Sequence, residues 1–204
     1  MGGYVWEGSR VRLRAVEPDD WQIFFDWNRD SDGARGSYHV PFPGSAEATR
    51  RWAAETALRQ PEGDVFRWVV ENLAGEMVGT INTHACDPRN GTFGYGLAIR
   101  REHQRRGYAS EAIALVLRYY FQELRYQKVS ARVYGFNEPS IRLHERLGFQ
   151  LEGRLRREIY TEGRYFDVLV FGMMAEEFAA RATGSGRSDH DQPAEPAQRR
   201  REQA

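Results

Sequence analysis

The segment LAIRREHQRRGYASEA, Leu97 to Ala112, starts as the end of an apolar strand, crosses four arginines and one glycine, and finishes as the start of a helix. It constrains the fold strongly, because a strand must feed a helix through a turn that stays close to both. A helix start leaves backbone N–H groups without internal partners and carries partial positive charge, so such a turn can cradle a pyrophosphate. Gly107 has no Cβ to obstruct an approaching ligand, and Arg105 and Arg106 add charge-assisted donors. The G-x-x-x-x-G-K-[ST] spacing of a nucleoside triphosphatase is missing, which points to another phosphorylated ligand.

The flanking sequence supplies the sheet and helices that this unit needs. SRVRLRAV alternates Val11, Leu13 and Ala15 with arginines, the pattern of a half-buried strand. Pro18, Asp19 and Asp20 suit a helix start, and Trp21, Phe24 and Phe25 give that helix an apolar stripe ending near Asn28. Arg29 to Gly44 reads as a loop with glycines and prolines, a candidate substrate segment containing Tyr38 and His39. Ser45 can cap a second helix to about Leu58. FRWVVEN and EMVGTINTH predict a hairpin turning at Leu73 to Gly75, and TFGYGLAI predicts the next strand. Gly94 and Gly96 inside it mark a bulge or a close approach to the backbone.

A helix from about Tyr108 to Leu124 follows, with Ile113, Val116, Leu117, Tyr120 and Leu124 as its packed stripe. KVSARVY is a strand. NEPSIRLHERLGF predicts a short helix capped by Asn137, buried through Leu143 and Leu147, and stopped at Gly148. FQLEGRLRREIYTEG and RYFDVLVFGMM then form two strands turning at Thr161 to Arg164. A chain of 204 residues that is 41% hydrophobic can bury one substantial core, so residues 1–181 read as one domain. Positions 182–204 have almost no large apolar residues and read as a disordered tail.

Lys+Arg and Asp+Glu balance at 29 each, which argues against a nucleic-acid partner held by a strongly basic surface. No window approaches the roughly 20 apolar residues of a membrane span, so no membrane partner is expected. The single cysteine, Cys86, fits a reducing cytoplasm, and the five dispersed histidines predict no metal site.

QRRGYA, preceded by FGYGLAI and followed by NEPSIRLHERLGF, resembles the acetyl-CoA-binding core of the GCN5-related N-acetyltransferase superfamily. ASEA at the helix start and the closing strands resemble the branch containing ribosomal-protein N-terminal acetyltransferases and spermidine acetyltransferases. The resemblance covers Arg10 to Phe178 and is strongest from Thr92 to Gly172. It implies an α+β fold: a mixed, mostly antiparallel central sheet flanked by helices, with splayed fourth and fifth strands and the pantetheine arm of acetyl-CoA in the opening. By position, Leu97, Ala98 and Ile99 offer strand backbone groups to the pantetheine and thioester. Gln104, Arg105, Arg106, Gly107, Tyr108, Ala109 and Ser110 surround the pyrophosphate. Asn137 bonds the pantetheine arm, and Arg142 or Arg146 reaches the adenosine end. A homodimer is compatible with the resemblance.

The implied chemistry is direct attack of a free amine on the thioester. Backbone N–H groups near Ala98 would stabilise the oxyanion, and a positioned acid would protonate the departing thiolate. Many family members carry a tyrosine where this chain has His144, leaving His144 or Ser140 as the catalytic acid. Thr92 stands where related sequences often place a glutamate, so Glu138, Asp167, His84 or a water chain is left as base. His84 joins Tyr38 and His39 as a candidate substrate contact. The expected acceptor is a protein or peptide N-terminal amine, because an α-amine of pKa about 7.7 needs less help losing its proton than a lysine-like amine of about 10.4. Polyamine, aminoglycoside and other small-amine acceptors are alternatives. Six acids against one arginine between Glu17 and Asp32 are a feature that would attract polycations. A noncatalytic acyl-CoA-binding or interaction module is the reading from another class.

Overall fold

The structure is a computed structural model that describes residues 3–37 and 39–184. Its strands are β1 (Val11–Arg14), β2 (Arg67–Asn72), β3 (Met77–Asp87), β4 (Thr92–Ile99), β5 (Lys128–Tyr134), β6 (Gln150–Thr161) and β7 (Arg164–Met174). They form a seven-stranded sheet in the order β1-β2-β3-β4-β5-β7-β6, antiparallel at every junction except β4–β5. The helices are α1 (Trp21–Trp27), α2 (Ser31–Ser37), α3 (Ala46–Ala57), α4 (Tyr108–Gln122), α5 (Glu138–Leu147) and α6 (Ala175–Gly184). This is the mostly antiparallel, helix-flanked sheet that the resemblance implies.

Alternation along β2 separates two cores. Val70 joins the cluster that includes Ile113, Val116, Leu117 and Tyr120 of α4, while Val69 joins Phe24 of α1 and Ala53 of α3. Ser45 caps α3 by accepting from the Ala48 N–H at 3.1 Å, and Gly148 ends α5 at φ +88°. Leu143 and Leu147 are only half-buried, and His144 is the buried side chain of α5.

Two elements depart from the sequence reading. Arg29 to Gly44 is not one loop, because Ser31–Ser37 is helical; SDGARGS has two glycines and no apolar stripe to announce it. The expected tail at 182 starts too early, since α6 runs to Gly184. Positions 185–204 and Tyr38 lie outside the described residues.

β4 and β5 share only three register pairs, Thr92↔Lys128, Phe93↔Val129 and Gly94↔Ser130. Beyond them β4 stays with β3, through Tyr95↔Thr83 to Ile99↔Gly79, and β5 stays with β7, through Ala131↔Phe171 to Tyr134↔Val168. The two strands therefore split at Tyr95, and the expected splay is present.

Candidate active site

The split opens into a cleft of about 1130 Å³. One bank consists of Tyr95 to Ile99 and the turn into α4, the other of Ala131 to Tyr134 and α5, and α2 lies at the edge with Asp32, Gly33, Gly36 and Ser37. Every residue expected around the cofactor lines this cleft: Leu97, Ala98, Ile99, Gln104 to Ser110, Asn137, Arg142 and Arg146.

The Arg/Gly turn owes its shape to two left-handed residues, Arg105 at φ +60° and Gly107 at φ +83°. A Cβ on Gly107 would stand 3.3 Å from Arg10 Nη1. Gln104 Nε2 donates to the Ile99 carbonyl at 3.1 Å, and Arg106 donates to the Glu102 carbonyl, folding the turn back on the strand end. Gly107 is the N-cap of α4 and provides no side-chain cap, so the helix start is presented to the cleft. The first-turn acid Glu111 points elsewhere. Its carboxylate accepts from the backbone N–H groups of Ser9, Arg10 and Val11 and from the Ser9 hydroxyl, tying α4 to the start of β1. Burial pushes the Glu111 carboxyl up, but these donors outweigh it and hold the group below its ordinary range.

At the second helix start, Asn137 Oδ1 accepts from the Ser140 N–H at 3.2 Å, while Nδ2 donates to the Gly36 carbonyl at 2.9 Å. Asn137 thus caps α5 and holds α2 to that bank. Asp30 and Asp32 reach Arg101 on the opposite bank at 2.8 and 3.3 Å. Arg142 is paired with Glu138 at 3.2 Å, and the Arg146 carbonyl accepts from Arg181.

His144 and Ser140 both line the cleft, yet His144 is only 5% exposed. Its Nδ1 lies 2.8 Å from the Ser140 carbonyl and 3.5 Å from the Ser140 hydroxyl, and its Nε2 lies 2.7 Å from Tyr95 Oη. Burial pushes the imidazole below its usual pKa, opposed by the Ser140 backbone bond. The ring is therefore not an isolated acid facing the cleft. Tyr95 was absent from the sequence-derived site, since its partner lies 49 positions away.

Of the three substrate candidates, Tyr38 lies outside the described residues, and His84 and His39 are not among the residues that line the cleft. His84 is exposed and lines no part of it; its ring lies over Gly94, where a Cβ would stand 2.5 Å from His84 Cε1. The histidine ring, rather than a ligand, fills the space that Gly94 provides. His39 is exposed and away from the cleft lining. Of the acids between Glu17 and Asp32, Asp20 is buried against Arg14, Asp26 pairs with Arg29, and Asp32 also pairs with Arg35. Among the described residues no group of His, Cys, Asp and Glu is arranged to hold a metal, and no helix is long and apolar enough to cross a membrane.

An elongated slot beside a strand edge freed from its partner, ending at an uncapped helix start with arginines, fits a cosubstrate with an amide-bearing arm and a pyrophosphate. Comparison with known proteins agrees. The acetyltransferase (GNAT) domain family model matches residues 10–150. The SPbeta prophage-derived uncharacterized N-acetyltransferase YokL of Bacillus subtilis (strain 168) is 46% identical over 173 residues, covering 85% of this chain and 94% of that protein. The spermidine N(1)-acetyltransferase of Vibrio cholerae serotype O1 is 25% identical over 177 residues, covering 85% of this chain and 98% of that protein. The crystal structure of a Vibrio cholerae spermidine N-acetyltransferase with CoA and spermine superposes with a TM-score of 0.72 at 24% identity, covering 84% of this chain and 99% of the other, which shows a shared fold. The split sheet, the open helix start and a family match across both place this chain in the GNAT acetyltransferase family, as an acetyl-CoA-dependent N-acetyltransferase.

Proposed function

We propose that the chain acetylates a small primary amine of the polyamine class, which enters the cleft beside α2. The carrying observation is that α2 is tied to both banks, by Asp30 and Asp32 to Arg101 and by Gly36 to Asn137. A bridged mouth admits a slender amine more readily than a protein surface. The near-full-length relative that acetylates spermidine supports the same class. Bound acetyl-CoA supplies the activated acetyl group. Leu97 to Ile99 would align its arm through strand backbone groups, and Gln104 to Ser110 would hold the pyrophosphate. Backbone N–H groups near Ala98 would carry the oxyanion.

A specific observation favours a second acceptor, the α-amine of a peptide. Asp30 and Asp32 are already neutralised by Arg101 and Arg35, which removes the charge that would attract a polycation. Thr92 at the usual glutamate position also suits an amine that loses its proton easily. Measuring kcat/KM with acetyl-CoA for spermidine, a short peptide with a free α-amine, its N-blocked form and an aminoglycoside decides between them. Spermidine is expected to be the best acceptor. Peptide acetylation with no small-amine product would overturn the polyamine reading.

A further inference from the structure

The contact between Tyr95 and His144 lies where β4 and β5 separate. Tyr95 is the residue immediately after the last shared pair, Gly94↔Ser130, and both residues are among those that line the cleft, with their side chains largely buried. The hydrogen-bond pattern fixes the proton positions. The Ser140 carbonyl can only accept, so His144 Nδ1 carries a proton toward it at 2.8 Å. In the neutral ring Nε2 is then an acceptor, and the Tyr95 hydroxyl donates to it at 2.7 Å. The ring's other neighbours are the Ser140 hydroxyl, 3.5 Å from Nδ1, and the rings of Phe149 and Phe171, and among the described residues no carboxylate or cation contacts it. Burial disfavours the charged imidazole and keeps the phenol protonated, so the resting pair is neutral and a proton gained at Nε2 is readily passed on.

We propose that Tyr95 is the group that delivers a proton to the departing CoA sulfur and that His144 recharges and orients it, the two together doing what one tyrosine on α5 does in many relatives. The pair takes one proton from solvent at Nε2. Nε2–H then donates to Tyr95 Oη and frees the Tyr95 hydrogen to turn toward the cleft. As the C–S bond breaks, its electron pair stays on sulfur, the Oη proton moves to sulfur, and the Nε2 proton moves to Oη. This leaves a neutral imidazole accepting from a neutral phenol, the arrangement seen in the structure. The proton lost by the attacking amine returns to solvent, so the balance closes without another reactant. Gly94, the end of the β4–β5 ladder, makes the assignment positional: one residue further along, the strand edge is open to the cleft.

The proposal rests on the family reaction and is independent of the acceptor. Its first test needs no acceptor: the side-chain ¹⁵N resonances of His144 are recorded for the free protein and with saturating CoA or desulfo-CoA. The free protein is expected to show the Nδ1–H tautomer, with CoA shifting the Nε2 resonance and desulfo-CoA leaving it in place. The same spectrum with both ligands would overturn the proposal. The second test is kinetic, with the best amine from the acceptor panel. Tyr95→Phe keeps the ring and is expected to lower kcat about 10²- to 10⁴-fold, the usual span for general acid assistance, with KM for acetyl-CoA changed less than about threefold. His144→Gln, which can bond Tyr95 but not relay its proton, is expected to fall within the same range. A folded Tyr95→Phe enzyme with kcat within about threefold of the parent would sink the assignment. If that variant fails to fold, the ligand-dependent spectrum of the parent protein decides.

Discussion

Two helix starts face the same cleft, and they are finished differently. At α4 the N-cap is Gly107, without a side-chain cap, and the only acid of the first turn, Glu111, is turned away to hold β1. At α5 the N-cap is Asn137, whose side chain takes the Ser140 N–H and grips Gly36. One start keeps its donors available for an anion, and the other uses its cap to fix neighbouring structure. An anion site therefore depends on what a helix start leaves unfilled as much as on its dipole.

Substitution at the two caps tests that contrast. Gly107→Val should have the largest effect, since a left-handed backbone costs an L-residue about 1–2 kcal/mol and the new side chain meets Arg10. Acetyl-CoA affinity measured by calorimetry on the folded variant should fall at least about tenfold, a loss of about 1.4 kcal/mol, because the side chain obstructs the close approach of the pyrophosphate to the turn. An unchanged affinity would break the distinction between the two starts. Glu111→Gln should destabilise the fold by about 1–2 kcal/mol in chemical denaturation through weakened bonds to Ser9, Arg10 and Val11. The sign of its pH dependence follows from a folded-state pKa below the unfolded one. The carboxylate stabilises above the unfolded value of about 4.3, and that stability is lost as pH falls through the folded value, so the glutamine variant should show a flatter acid limb.

Asn137→Ala should cost about 1 kcal/mol, a typical cap loss, lowering Tm by about 2–4 °C for a domain of this size. Its acetyl-CoA affinity should change much less than that of Gly107→Val. Arg142→Ala should have the smallest effect, within about 0.5 kcal/mol in stability, because its exposed i,i+4 pair with Glu138 is weak. A modest loss of acetyl-CoA affinity with unchanged Tm would assign Arg142 to the cosubstrate alone.

What was legible in the sequence follows the same divide between local and distant causes. Ser45, Gly148 and the stripe from Ile113 to Tyr120 act within a few residues, and each marks its element correctly. The Arg/Gly turn was equally readable, since its donors and its left-handed glycine are contiguous. Helix α2 was hidden because SDGARGS lacks an apolar periodicity and is held by ion pairs and by Asn137 from outside. The His84 ring over Gly94 depended on β3–β4 register, which residue types alone do not reveal. Likewise, nothing in the sequence around His144 pointed to Tyr95, 49 positions away on another element.

The three-pair seam between β4 and β5 also has a consequence for the lifetime of the protein. Each flank is knit by long antiparallel ladders, whereas the junction between them is short and parallel. A cosubstrate lying along the gap binds the folded state across that junction and stabilises it by mass action, about 2.7 kcal/mol at a hundred times Kd. Sub-global opening along the seam, and the proteolysis that follows it, would then be suppressed as acetyl-CoA rises. The lifetime of the folded enzyme would then follow the level of its cosubstrate, through the place where its sheet is least sewn together.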